Sequence, residues 1–129
     1  MEIAGPTLDA YDVVALARFY EHLLGWDVVA LEGARDGYPP EDAWAKLAAP
    51  DRAMKLEIQF EQHYVPPVWP PEPGAQQMMI HLDIAADDLD AGVAWAVECG
   101  ATLAAHQPQE GVRVMLDPAG HPFCLFAER

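Results

Sequence analysis

The chain has 129 residues, 52% of them hydrophobic, which suits one domain with a real core and excludes a disordered polymer. Twenty-one acidic against 7 basic residues give a formal net charge of -14, so nucleic acid and anionic membrane surfaces are not expected partners. No apolar run approaches the ~20 residues that span a bilayer, and MEIAGPTLDA has neither the basic region nor the apolar stretch of a signal peptide. A cytoplasmic location, with Cys99 and Cys124 as free thiols, is the expectation.

A short segment, Ile3 to Leu8, leads to Asp12, which opens VVALARFYEHLLG. Val13, Leu16, Ala17, Tyr20, Leu23 and Leu24 recur at helical spacing, Asp12 can cap the first turn, and Gly25 can take the left-handed residue that ends it. Strands are expected at Trp26–Leu31, near Trp44–Leu47 and at Met54–Phe60. VPPVWPPEPG, residues 65–74, then places five prolines in ten residues, an extended stiff connector. Beyond it MMIHLDI, Met78 to Ile84, reads as a strand.

A second helix follows in DDLDAGVAWAVECG, with Leu89, Val93, Ala96 and Val97 as its stripe, Asp87 or Asp88 as cap and Gly100 as stop. Three more strands are expected at Thr102–Ala105, Val112–Leu116 and Pro122–Phe126. Asp12 to Gly25 and Asp87 to Gly100 are equal spans of 13 residues. Each half therefore reads strand, helix, strand, strand, strand, an internal repeat that describes the whole architecture. Phe19, Tyr20, Trp26 and Trp95 are expected in packing.

Motif chemistry is sparse. Nothing matches a phosphate-binding GxGxxG or GxxxxGK[ST] loop, a GxSxG elbow or an HExxH pair. His121 and Cys124 lie three apart on one strand, so they project to opposite faces and form no dyad. His121 is expected to hydrogen-bond locally.

TLDAYDVVALARFYEHLLGW, YVPPVWP, HLDIAADDLDA and LDPAGHPFCLF, in that order, resemble the glyoxalase-like branch of the vicinal oxygen chelate superfamily, which holds glyoxalase I, bleomycin-resistance proteins and extradiol dioxygenases. The resemblance implies an α+β fold of two tandem βαβββ modules, each an open, curved sheet, around a central cavity. It makes residues 1–129 one glyoxalase-like domain, with module one at about 1–65, the proline-rich linker at 65–74 and module two at about 75–129.

In metal-dependent relatives each module supplies two ligands, one on its first strand and one, usually glutamate, on its last. Here His81 matches the first-strand position of the second module. The corresponding position in the first falls on Gly5 or Pro6. Gln59 sits near the last-strand position of the first module, with Glu57 on the same face, and Cys124 takes the glutamate position of the second.

The expectation is a degraded metal centre and no cofactor. If a divalent metal binds at all, its weak candidate ligands are His81 and Gln59. The ligand-pocket residues expected are Gln59, His81, Glu57, Asp83, Cys124, Trp44, Tyr64 and Trp69. The resemblance implies a homodimer that takes up a small, partly apolar molecule. The alternatives are a metal-dependent lyase, isomerase or dioxygenase using His81, and an antibiotic-sequestering resistance protein.

Overall fold

The computed structural model describes residues 1–127. They form two compact units, Met1–Tyr64 and the part that begins at Val65. In the first unit, β1 (Thr7–Ala10), α1 (Val13–Leu24), β2 (Asp27–Glu32), β3 (Trp44–Ala48) and β4 (Lys55–Phe60) make a four-stranded sheet ordered β1-β4-β3-β2. In the second, β5 (Asp83–Ala86), α2 (Leu89–Cys99), β6 (Thr102–Leu103), β7 (Val112–Leu116) and β8 (Pro122–Ala127) repeat it as β5-β8-β7-β6. The first and last strands of each unit run parallel and the rest antiparallel, so both sheets are mixed and open. The fold is α+β, two βαβββ modules, as the repeat predicted.

The helix caps follow from the sequence. Asp12 accepts from the Ala15 amide at 3.0 Å, and Gly25 closes α1 at φ 66°. In α2 it is Asp88, not Asp87, that accepts, from the Ala91 amide at 2.8 Å, with Gly100 at φ 118°. Each such cap contributes ~1 kcal/mol. The equal 13-residue spans are thus a coincidence of adjacent aspartates, and α2 is one residue shorter than α1.

Burial separates the two faces of each sheet. Val13, Leu16, Ala17, Phe19 and Tyr20 of α1 are buried, as are Ala45 and Leu47 of β3 and Leu56 and Ile58 of β4, the strands that α1 packs on. In the second unit Ala96, Met115, Phe123 and Leu125 are buried where α2 meets β7 and β8. Of the expected α2 stripe, Ala96 is buried and Leu89 and Val93 are half-buried, and only Val97 departs from it. Gly92 faces the sheet, where a Cβ would come within 2.9 Å of Ala86 Cβ. Val97 and Trp95 are turned outward, 50% and 44% exposed.

The strand expected from Met78 begins only at Asp83. Met79 and Ile80 are largely exposed. The ladder opens with the Cys124 amide donating to the Leu82 carbonyl, 2.9 Å. Two residues earlier on β8 stands Pro122, which has no N–H to carry the pairing further.

The proline-rich segment is held within the second unit. The Val68 amide donates to the Gln76 carbonyl at 2.9 Å, and Trp69 Nε1 donates to the His106 carbonyl at 3.0 Å.

Candidate functional site

Register aligns the two units residue by residue. Thr7 pairs with Glu57 on β1 and β4, and Asp83 pairs with Cys124 on β5 and β8. On the neighbouring strands Lys46 pairs with Glu57 and Val114 with Cys124. The counterpart of Cys124 is therefore Glu57 rather than Gln59. By the same offset the counterpart of His81 is Gly5.

Alternation turns Thr7, Asp9, Trp44, Lys46, Glu57 and Gln59 to the face of the first sheet away from α1. Glu57 sits 3.5 Å from Lys46 Nζ and accepts from Thr7 Oγ1 at 3.5 Å. Gln59 Nε2 donates to Asp9 Oδ1 at 2.7 Å. Lys46 Nζ lies 5.2 Å from the centre of the Trp44 ring. Trp44, Gln59, Phe60, Glu32 and Arg35 line a hollow of ≈ 350 Å³.

That hollow is buttressed by Asp42, 2% exposed, which accepts from Arg35 through the backbone amide (2.8 Å), Nε (3.0 Å) and Nη2 (2.9 Å). The hydrogen bonds from Arg35 hold the Asp42 carboxyl below the usual aspartate range, against the opposing effect of burial.

The same face of the second sheet is mostly apolar, with Val112, Val114, Phe126 and Pro122. Against it stands one polar group. His81 Nε2 lies 3.0 Å from Asp83 Oδ1, and one donor atom each of His81, Asp83 and Cys124 lie within 4.8 Å of one another. The His81–Asp83 contact sets these two side by side, and the Asp83–Cys124 pairing brings the thiol beside them. Burial pushes the Cys124 thiol pKa up, and the Asp83 carboxylate adds to the rise. Cys99 on α2 is pushed up as well, by burial and then by Glu98.

Two hollows flank this trio. One, ≈ 790 Å³, is lined by His81, Asp83, Gln109, Val112, Cys124 and Phe126 among others. The other, ≈ 220 Å³, is lined by Trp69, Met78, His81, Gln109, Val114 and Cys124 among others. They share His81, Gln109 and Cys124. Gln109 was not singled out by sequence; it lies in the β6–β7 connection, which no periodicity describes.

Of the expected pocket residues, His81, Asp83, Cys124 and Trp69 therefore line hollows of the second unit, and Trp44 and Gln59 line the hollow of the first. Glu57 lies on the same sheet face as Trp44 and Gln59. Tyr64 is half-buried at the end of the first unit, its amide donating to the Glu61 carbonyl at 3.2 Å.

His121 resolves as a turn residue. Asp117, buried at the end of β7, accepts from the amides of Ala119 (2.9 Å) and His121 (3.0 Å) and pairs with His121 Nδ1 at 2.8 Å.

The family model described as glyoxalase-like domain matches residues 6–126. Among solved structures, a glyoxalase family protein from Enterococcus faecalis superposes with a TM-score of 0.69 at 21% identity, covering 97% of this chain and 96% of that one. A mutant of the fosfomycin resistance protein FosX from Listeria monocytogenes, complexed with Mn(II) and dihydroxypropylphosphonic acid, gives 0.72 at 12% identity, covering 99% and 93%. TnmS3, an antibiotic-binding protein from Streptomyces, gives 0.58 at 17% identity, covering 100% and 97%. No curated protein matches the chain.

Proposed function

Because this chain belongs to the glyoxalase-like domain family of the vicinal oxygen chelate superfamily, we propose that it binds a small, partly apolar molecule over the second sheet. The observation that carries this reading is the pair of hollows sharing His81, Gln109 and Cys124. Ligand sites of ~300–1,000 Å³ with apolar walls and a few convergent polar groups are the usual form. Val112, Val114, Phe126, Trp69 and Met78 supply the apolar walls. His81, Asp83 and Gln109 supply the hydrogen bonds that orient a ligand. With a formal charge of -14 and a carboxylate at the rim, neutral and cationic heteroaromatic compounds are favoured over anions. The similarity to TnmS3, an antibiotic-binding protein, supports a small-molecule ligand.

The inherited two-module metal centre does not fit these residues. Gly5 carries no side chain at the first ligand position. Glu57 is already engaged by Lys46 and Thr7. Cys124 replaces a carboxylate at the last. No chemical step is assigned through that centre.

Binding is tested by calorimetry and thermal shift against a panel of neutral, cationic and anionic heteroaromatic compounds, antibiotics included. His81→Ala is expected to lower the affinity of any hit at least ~10-fold, the worth of one lost hydrogen bond to an ionisable group, while the melting midpoint holds. A panel in which nothing binds, or a His81→Ala variant that loses its fold, would overturn the reading.

The protein is proposed to act as a homodimer in the cytoplasm. Met79 and Ile80 are 82% and 80% exposed, and Val29 and Leu31 on the edge strand β2 are each 45% exposed, apolar surface that a second copy would cover. Charge repulsion between copies is screened beyond ~8–10 Å at physiological salt. Light scattering should return twice the 14.2 kDa chain mass; a value at 14.2 kDa would refute the dimer.

A further inference from the structure

We infer that the ≈ 350 Å³ hollow on the first sheet is a second ligand site, one that takes a primary ammonium ion carried on a small apolar body. The site uses none of the positions of the two-module metal centre, and it does not depend on the reading of the second sheet.

Strand register builds it. Glu32 on β2 pairs with Trp44 on β3, Trp44 pairs with Gln59 on β4, and Gln59 pairs with Asp9 on β1. These four residues make one row across the face turned away from α1. Neighbouring strands are ~4.8 Å apart, so the Trp44 side chain rises between those of Glu32 and Gln59. All three line the hollow, and Phe60 adds an apolar wall.

The polar groups of this row are acceptors. Gln59 Nε2 donates to Asp9 Oδ1 at 2.7 Å, which leaves Gln59 Oε1 to accept from a ligand. Among the described residues Glu32 makes no ion pair and no side-chain hydrogen bond. Arg35 is the one cationic residue lining the hollow, and it is already engaged. Its Nε and Nη2 donate to Asp42 at 3.0 and 2.9 Å, and its guanidinium carbon lies 3.9 Å from the centre of the Tyr38 ring. Asp42 cancels its charge. What is left is one uncompensated carboxylate, Glu32, beside an aromatic ring and an amide oxygen.

That combination selects the ligand. An anion meets an unpaired carboxylate and an arginine that Asp42 already holds. An ammonium nitrogen within ~6 Å of the Trp44 ring centre gains the attraction of the π cloud and can reach the Glu32 carboxylate as well. The three N–H donors of a primary ammonium also serve Gln59 Oε1. The protein itself puts a cation near this ring, because Lys46 Nζ lies 5.2 Å from its centre. Lys46 stands in the next row, where Glu57 at 3.5 Å balances its charge, and it does not line the hollow. A volume near the lower end of the ~300–1,000 Å³ range of ligand pockets limits the apolar body to about one ring.

The test titrates the full chain with 2-phenylethylammonium, 2-phenylethanol and phenylacetate, which are alike in size and differ in charge. Nuclear magnetic resonance follows the indole N–H of Trp44, identified by its loss in Trp44→Phe, and the backbone amides of Ala43 and Phe60. The ammonium is expected to shift these signals saturably, the alcohol to bind at least ~10-fold more weakly, and phenylacetate not to bind. Glu32→Gln, an exposed change on an edge strand, should weaken the ammonium ~3-fold. Trp44→Leu should weaken it ~10-fold, read from the two amides. His81→Ala should change nothing, which separates this site from the one on the second sheet. No shift at Trp44 with the ammonium, equal binding of the alcohol or of phenylacetate, an affinity unchanged in Glu32→Gln, or a loss in His81→Ala would each overturn the inference.

Discussion

Replacing Gly5 with histidine is expected to destabilise the protein by at least ~3 kcal/mol and to supply no metal ligand. The residue sits at φ 148°, a conformation that L side chains rarely adopt. A Cβ built there would lie 1.8 Å from the Lys55 carbonyl oxygen and 2.8 Å from its carbon. That carbonyl is backbone and cannot swing aside. It is also pinned, because the Lys55 amide donates to the Ala4 carbonyl at 3.0 Å and the Glu57 amide to the Pro6 carbonyl at 3.1 Å. Making room means breaking the start of the β1–β4 ladder, on which Leu56 and Ile58 reach the core. Gly5→Ala should cost nearly as much as Gly5→His, since the first added carbon causes the clash. Urea denaturation of both variants checks this. A Gly5→His protein as stable as the wild type would show that the site tolerates a ligand.

Asp117→Ala should be the most damaging polar substitution in the second unit, by ~2–4 kcal/mol. Asp117 is 4% exposed and its carboxylate accepts from two backbone amides and the His121 ring. Removing it leaves three donors to find water at the edge of a closed turn. Those bonds set the β7–β8 hairpin, and with it the register that carries Cys124 to Asp83. His121→Ala removes one of the three and should cost only ~1 kcal/mol. Denaturant midpoints rank the two variants, and amide exchange at Ala119 and His121 should rise in Asp117→Ala first. Equal effects of the two substitutions would mean that the imidazole, and not the pair of amides, holds the turn.

The outline of the fold was legible because its signals are local. Asp12, Gly25, Asp88 and Gly100 act within one helical turn of where they stand, and the apolar stripe of α1 needs only the 3.6-residue period. The ambiguity between Asp87 and Asp88 shows the limit of such signals. Both can accept a hydrogen bond, and which one does depends on how far β5 runs before the chain turns. On α2 the stripe held at Leu89, Val93 and Ala96 and failed at Val97, and Gly92 joined the packed side. Gly92 faces the sheet because Ala86 and Leu125 come so close that a larger residue would not fit, and this closeness is a property of the packed pair.

Chain chemistry by itself determined the βαβββ repeat, the capped helices, the acidic surface and the residue types of the candidate site, because each depends on neighbours a few positions away. Tertiary structure decided which of those residues meet. Strand pairing made Glu57 rather than Gln59 the counterpart of Cys124, and left Gln59 bonded to Asp9 across the β1–β4 ladder. It began β5 only at Asp83 because Pro122, distant in sequence, has no amide to offer. It placed the Cys124 sulfur beside His81 and Asp83, and gave His121 to the Asp117 turn. Each of these depends on register between strands distant in sequence. Register is fixed by the burial of whole sheet faces and by single missing donors, and no local pattern in the sequence encodes either one.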